Sequence, residues 1–513
     1  MGKTLPELPY AMQKNKSEIV SMRGINFSDI LQDGDLADSK NLSARRFPYI
    51  TARRARAKQS GYTGCTALTA WDKLIAVCGT NLLYNGNTVG QVTSGSKQFV
   101  VVNTKLVIWP DKKYLDLKTL QLHDMAATAT GTGAAFTTNT ITISWTGVDL
   151  TTLFAVGDGI KISGCTVEPG NNKDIVIKEL TATTITVTDD TFAAAAETEK
   201  LTFAREIPDM DYICESENRL WGCSSSTQTL YASALGDPTN FNVFQGLSTD
   251  SYALAVGSEG DFTGCCRLSS SILFWKQNKL HKMLGSYPAE YSLYTYDIEG
   301  LRDGCHKSLQ VINEVLFYMG LHGVYAYSGG TPSLVSANFG EKVFTNAVAG
   351  NDGDSYYLSV KEGSAYHLMI YETKSSTWVH EDDISCVQFA RLGKDLYFVD
   401  SNGDVYLADT GTEDPDIEWF AQFTPFYETI QGRKVYSKML FRVELPKGSY
   451  FIAEARQDDG AWREVGRIVG GKTDVVPMRI PLTRCDKFEI RLSGKGPFAI
   501  LSILREFGLG SEV

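Results

Sequence analysis

Seven short segments of hairpin type constrain this chain more than any other feature of its sequence. Each joins two runs of β-branched and aromatic residues through a turn of Gly, Asn, Asp or Ser. They are DKLIAVCGTNLLYNG (72–86), TKLVIWPDKKYLDL (104–117), NRLWGCSSSTQTLYASAL (218–235) and SSILFWKQNKLHKMLG (270–285), then NEVLFYMGLHGVYAYSGG (313–330), SYYLSVKEGSAYHLMIY (355–371) and KDLYFVDSNGDVYLAD (394–409). Such a pattern is that of antiparallel hairpins, with SNGD at 401–404 the sharpest turn signal. Once one interruption is removed, the starts lie roughly 30 to 55 residues apart, close to the period of a propeller blade. A four-stranded blade cannot bury both faces alone, so blades pack side by side around a channel, and the spacing predicts about six to eight of them.

Two stretches depart from this pattern. Residues 126–204 are rich in Thr and Ala and alternate with period two, as in TITISW and TITVT, with EPGNNK as a turn. This predicts a small β-domain inserted in the propeller, where added loop length costs little free energy. Beyond residue 418, VYSKMLFRVEL, SYFIAEARQDDG, AWREVGRIVG, VVPMRIPL, KFEIRLSG and FAILSILREF alternate between polar turns, the pattern of a β-sandwich. The first 60 or so residues are polar and show no sustained period. The expected organisation is therefore all-β: an N-terminal arm (1–61), the first part of a propeller (62–125), the inserted domain (126–204), the remainder of the propeller (205–417) and a C-terminal sandwich (418–513).

The chain of 513 residues carries a net charge of −11. A dedicated nucleic-acid binder runs the other way, because phosphate contacts require a basic surface; an acidic protein suits DNA that must slide past without sticking. Ten cysteines, at 65, 78, 165, 214, 223, 265, 266, 305, 386 and 485, form no C-x-x-C pair and are expected as buried thiols made in a reducing cytoplasm. The opening MGKTLPELPYAMQKNK has no apolar secretory core. No apolar run reaches the ~20 residues that a bilayer span needs, so no membrane segment is expected.

Signs of catalysis are sparse. The six histidines, His123, His281, His306, His322, His367 and His380, fall in no H-E-x-x-H or His-x-His pattern. No glycine-rich phosphate loop opens a helix, and GCSSS at 222–226 lacks the frame of a nucleophile elbow. NDGD (351–354) and DSNGD (400–404) offer carboxylates of the kind calcium takes, but Asn, Asp and Gly are also the residues of hairpin turns, and that reading is preferred. KSSTW at 374–378 lacks the Asp and Gly of a sialidase Asp box. The expectation is a protein that is not an enzyme, with no catalytic, cofactor or metal residues. One cluster stands out as a candidate for partner contact: Arg45, Arg46, Arg53, Arg54, Arg56 and Lys58, within ARRFPYITARRARAK. It suits either a grip on an acidic neighbour or on DNA phosphates, or a solvated surface segment.

Several segments, in order, resemble the tail nozzle or hub proteins of short-tailed bacteriophages (podoviruses), also called tail accessory or stabilisation proteins. RRFPYIT (45–51) is similar to the lead-in before that family's first propeller strand, and LLYNGNTVGQV (82–92) to its first-blade hairpin. YASALGDPTNFNVF (231–244), FWKQNKLHKMLGS (274–286) and YMGLHGVYAYSGGTPSLVS (318–336) resemble later blades, and FEIRLSGKGPFAILSILREF (488–507) the closing sandwich strands. The insertion at 126–204 departs from the simplest members. The resemblance implies a structural subunit of the virion tail, assembled in the host bacterial cytoplasm as a homo-hexameric ring below the portal and adaptor rings. Tail fibres or spikes would attach to it, and genomic DNA would pass through its lumen without specific binding. The alternatives are another baseplate, hub or fibre-attachment propeller, or a carbohydrate-binding or glycosidase propeller.

Overall fold

Runs such as LIAVC and SILFW alternate too little for a half-exposed strand; they suit strands covered on both faces. A computed structural model, describing residues 14–428, 431–471 and 474–509, places them there. The protein is all-β, and among the described residues the helical elements are five three-residue 3₁₀ turns. The chain forms two units. One holds Tyr62–Leu321 and Tyr327–Pro332; the other holds the chain up to Gly61, His322–Ala326, and the chain from Ser333 onward.

The first of these units contains four blades of a β-propeller, each a four-stranded antiparallel meander with its strands in chain order. They begin at Cys65–Ala70, Gln98–Val102, Tyr212–Ser216 and Gly264–Leu268. Within the fourth, every residue of the interior strand Ser271–Trp275 is buried, whereas Ser292–Asp297 at one edge is largely exposed. Successive blades share apolar faces. Ile75 and Val77 cluster with Leu106 and Ile108, Val107 and Trp109 with Ile213 and Leu220, and Trp221 and Leu230 with Ile272 and Phe274. Each large apolar side chain so covered contributes about 1.5–3 kcal/mol. In the first blade, Asn85 and Gly86 both adopt positive φ (49° and 79°), the mirror-image turn that matches strand twist.

The inserted domain is one seven-stranded sheet. Its long strands Ala127–Phe136 and Ala195–Arg205 pair antiparallel, so the chain leaves and re-enters at one place. Its own core includes Phe136, Trp145, Ile160, Ile162 and Phe203.

In the other unit, Thr345–Asn351, Ser355–Glu362, Ala365–Glu372 and Thr377–Asp382 form one four-stranded blade. Another blade consists of Cys386–Leu392, Asp395–Asp400 and Val405–Leu407, completed by Ala57–Lys58 from far upstream. Tyr357, Ile370 and Val379 of one pack with Leu396 and Phe398 of the other. The sandwich follows, with sheets of seven and six strands closing over Met439, Phe441, Phe451, Ile490 and Ile503.

Two expectations are corrected. The expected arm over residues 1–61 is not strand-poor: six short strands lie within residues 14–58, and residues 1–13 lie outside the described residues. Lys14–Ile19 and Ile50–Ala52 both pair with the final strand Ala499–Leu509, and Asp35–Lys40 pairs with Glu418–Phe423. The reason is that the final strand is flanked by backbone groups that require partners, and the polar N-terminal segments supply them. The second correction concerns the thiols. Cys65 and Cys78 face each other on adjacent strands of the first blade and form a disulfide. The other eight cysteines are free, and all but the half-buried Cys266 are buried.

Candidate functional site

Chain direction sets up the basic cluster. Arg45 and Arg46 follow the short strand Leu42–Ser43, and Arg53, Arg54 and Arg56 lie between Ile50–Ala52 and Ala57–Lys58. This threads the six cations along carboxylates of the same unit. Arg45 bonds Asp352, reaches Asp409 at 2.9 Å and donates to the Tyr357 hydroxyl at 2.5 Å. Arg46 pairs with Glu444 at 2.9 Å, Arg54 with Asp409 at 3.6 Å, and Lys58 with Asp404 at 2.5 Å. Arg53 donates to Asn41 at 2.8 Å and lies 3.6 Å from Glu381.

Arg56 is the most enclosed. Its side chain is 8% exposed and donates to Glu381 at 2.6 Å and to Asp382 at 2.5 Å. Burial works against the Arg56 charge, but Glu381 and Asp382 outweigh it and push the pKa up. Burial likewise raises the Glu381 carboxyl above its ordinary range, with Arg56 opposing. Arg53 is pushed down by burial and by Arg56 beside it. Around these groups lies a cavity of about 140 Å³, lined by Arg45, Arg53, Tyr357, Glu372, Glu381 and Phe498 among others. The structure therefore places all six residues of the cluster beside carboxylates of their own chain.

The acidic turns use their carboxylates locally. Asp352 accepts from the backbone N–H groups of Asp354 and Ser355, and Asp400 from those of Asn402 and Asp404. Gly353 and Gly403 adopt the positive φ these turns need (106° and 80°).

One arrangement escaped sequence reasoning. His367 and His380 lie 13 residues apart on adjacent strands, with Asp383 just after the second, and their ligand atoms gather within 4.8 Å of one another. His380 Nε2 is 3.4 Å from His367 Nδ1 and 3.2 Å from Asp383 Oδ1, and His367 Nδ1 is 3.7 Å from the same oxygen. Burial, then His380, lowers the His367 pKa. For His380, burial is outweighed by Asp38 and Asp383, which raise it. The available signal was strand register: Met369 lies opposite His380 and Leu368 opposite Asp382 across a bulge, which carries His367 toward Asp383.

No family model matches the chain, and no curated protein matches it. Among solved structures it is similar, at 10% identity and a TM-score of 0.38, to the extracellular domain of a protein described as a one-component system of B. thetaiotaomicron. That match covers 88% of this chain, which spans about 60% of the length of that domain. An exo-β-1,3-galactanase from Phanerochaete chrysosporium matches at 7% identity and a TM-score of 0.22, over 56% of this chain and 92% of its own. A GH43 glycoside hydrolase engineered for endo-xylanase and exo-arabinofuranosidase activity matches at 9% identity and 0.22, over 59% and 98%. Similarity at this level bears on neither the fold nor the function.

Proposed function

We propose that this chain is a structural subunit of a bacteriophage tail, a nozzle-type ring component below the portal and adaptor that lines a path for DNA. The observation that carries the proposal is the internal use of positive charge. The densest basic run of an acidic chain is set against Asp352, Glu381, Asp382, Asp404, Asp409 and Glu444, which leaves no unneutralised cationic stripe there to hold phosphates. A conduit benefits from this, because each basic contact with DNA slows its passage. The ordered segments that resemble podoviral nozzle proteins support the same reading, as does the sequence of blades, inserted domain and terminal sandwich. A ring of identical subunits would close through heterologous interfaces; fibres or spikes would dock on its outside.

The test is electron microscopy with mass photometry on the purified protein, alone and mixed with its phage's portal–adaptor complex. The expected result is a six-fold ring capping the adaptor. A persistent monomer that ignores the adaptor overturns the proposal, and glycan binding by that monomer would favour the carbohydrate-recognition alternative.

A further inference from the structure

We propose that His367, His380 and Asp383 bind a divalent transition-metal ion, with Zn²⁺ the best match to the donor set. Two imidazoles and one carboxylate are borderline donors that suit zinc. Around a tetrahedral ion with bonds of about 2.0–2.2 Å, donor atoms stand about 3.3–3.6 Å apart, and the three separations here are 3.2, 3.4 and 3.7 Å. A point about 2.1 Å from all three atoms lies about 0.7 Å out of their plane, as three corners of a tetrahedron require.

An independent observation concerns the opposite side of each ring. His367 turns Nδ1 toward the cluster, and its Nε2 lies 3.4 Å from Glu362 Oε2. His380 turns Nε2 inward, and its Nδ1 lies 3.7 Å from Asp38 Oδ1. Both carboxylates stand at ion-pair distance without a formed hydrogen bond; a closer approach of each would fix the tautomer and aim the other lone pair at a metal. Glu362 is itself held by Lys342 at 2.8 and 2.9 Å, and the His380 backbone by Ser39, which accepts from its N–H at 3.2 Å and donates to its carbonyl at 3.0 Å. Asp382 O lies 3.0 Å from His380 Nε2. His380 Nε2 faces a carbonyl oxygen, a carboxylate oxygen and an imidazole nitrogen, so an ion entering the cluster would take the place of the proton that Nε2 shares with the Asp382 carbonyl. A bound ion would tie the strand Ala365–Glu372 to the turn that follows Thr377–Asp382. The inference stands apart from the tail proposal and does not depend on it.

The test is calorimetric titration of the chelator-stripped full-length protein with Zn²⁺, and with Co²⁺ for the visible bands of four-coordinate cobalt. The expected result is one saturable equivalent per chain. Asp383→Asn, at a residue whose side chain is 63% exposed, should fold normally and lose at least tenfold in affinity. Glu362→Gln, which removes the charge behind His367 together with its pair to Lys342, should lose about 10–100-fold. An acidic-turn control, Asp354→Asn, should bind as wild type. The proposal is overturned if the wild type shows no saturable binding, or if Asp383→Asn retains wild-type affinity.

Discussion

Replacing Arg56 with Met keeps an apolar stem but removes the guanidinium, whose carbon sits 5.3 Å from the centre of the Phe398 ring, and with it the charge facing Glu381 and Asp382. Breaking one side of a buried pair costs about 3–5 kcal/mol because the other side is left uncompensated. Two features of the site reduce that figure. Arg53 stays 3.6 Å from Glu381, and Asp382 still accepts from the Ile384 N–H. A ceiling also applies, because the stranded Glu381 can take up a proton. Starting from an ordinary value of 4.5, that uptake costs about 3.4 kcal/mol at pH 7 and about 1.4 kcal/mol at pH 5.5. The expected destabilisation is thus about 2–3 kcal/mol at pH 7, or about 5–10 °C in unfolding midpoint for a unit of this size. The sign with pH follows from the direction of the shift. The folded-state pKa of Glu381 lies above its unfolded value, so the penalty is absent below about pH 4.5 and grows as pH rises. Scanning calorimetry at pH 5.5 and 7.0 on wild type, Arg56→Met, and the Arg56→Met/Glu381→Gln double variant reads all three terms. The double variant should recover part of the loss, because a neutral amide at 381 leaves only Asp382 charged where Arg56 stood. A loss under 1 kcal/mol at pH 7, an equal loss at both pH values, or no recovery in the double variant would refute the reasoning.

His281 is fully buried, bonded at 2.8 Å to both Ser258 and Thr295, and burial lowers its pKa to about 4. Its stabilisation is therefore complete above about pH 6.5 and is lost as pH falls toward 4, by on the order of 2–3 kcal/mol; urea midpoints across that range should fall less steeply in His281→Gln. Gly24 has φ of +83°, and a Cβ there would stand 2.1 Å from the Trp378 carbonyl oxygen. Gly24→Ala should accordingly cost about 2–4 kcal/mol from strain and overlap together, and equilibrium unfolding that matches wild type would contradict this. Because the basic cluster is neutralised within the chain, fluorescence anisotropy with duplex DNA at physiological salt should give a Kd weaker than about 10⁻⁴ M, outside the usual non-specific range. Micromolar binding abolished by Arg46→Ala/Arg54→Ala would show instead that these arginines face phosphate.

What the sequence made legible was local, and the physics of turns explains why. Asn85–Gly86 and the Asp400 turn declare themselves because positive φ and carboxylate-to-backbone bonds restrict residue choice within four positions. Strands such as Ser271–Trp275 declare themselves because burial on both faces demands an unbroken apolar run. The inserted domain shows through its own alternation, because a sheet with its own core writes period two into its strands.

The parts that sequence reasoning missed depend on partners hundreds of residues away, which impose no nearby pattern. Lys14–Ile19 reads as a polar tail, KNKSEI, with Ile19 alone buried. It is a strand only because Ala499–Leu509 offers it a hydrogen-bonding edge, so nothing in its composition had to change to place it there. The basic run follows the same logic: six cations within 14 residues suggest a surface that meets a partner until the carboxylates at 352, 381, 382, 404, 409 and 444 come alongside. His367 and His380 lie closer in sequence, yet a bulge in their strand pairing sets which side chains meet, and a slip of one residue would send them to opposite faces of the blade. The chemistry on these strands is therefore specified by register, a property that no window of a few residues contains. For this reason the Asp383→Asn titration tests more than one ligand: it tests whether the register of this blade was set to gather those donors.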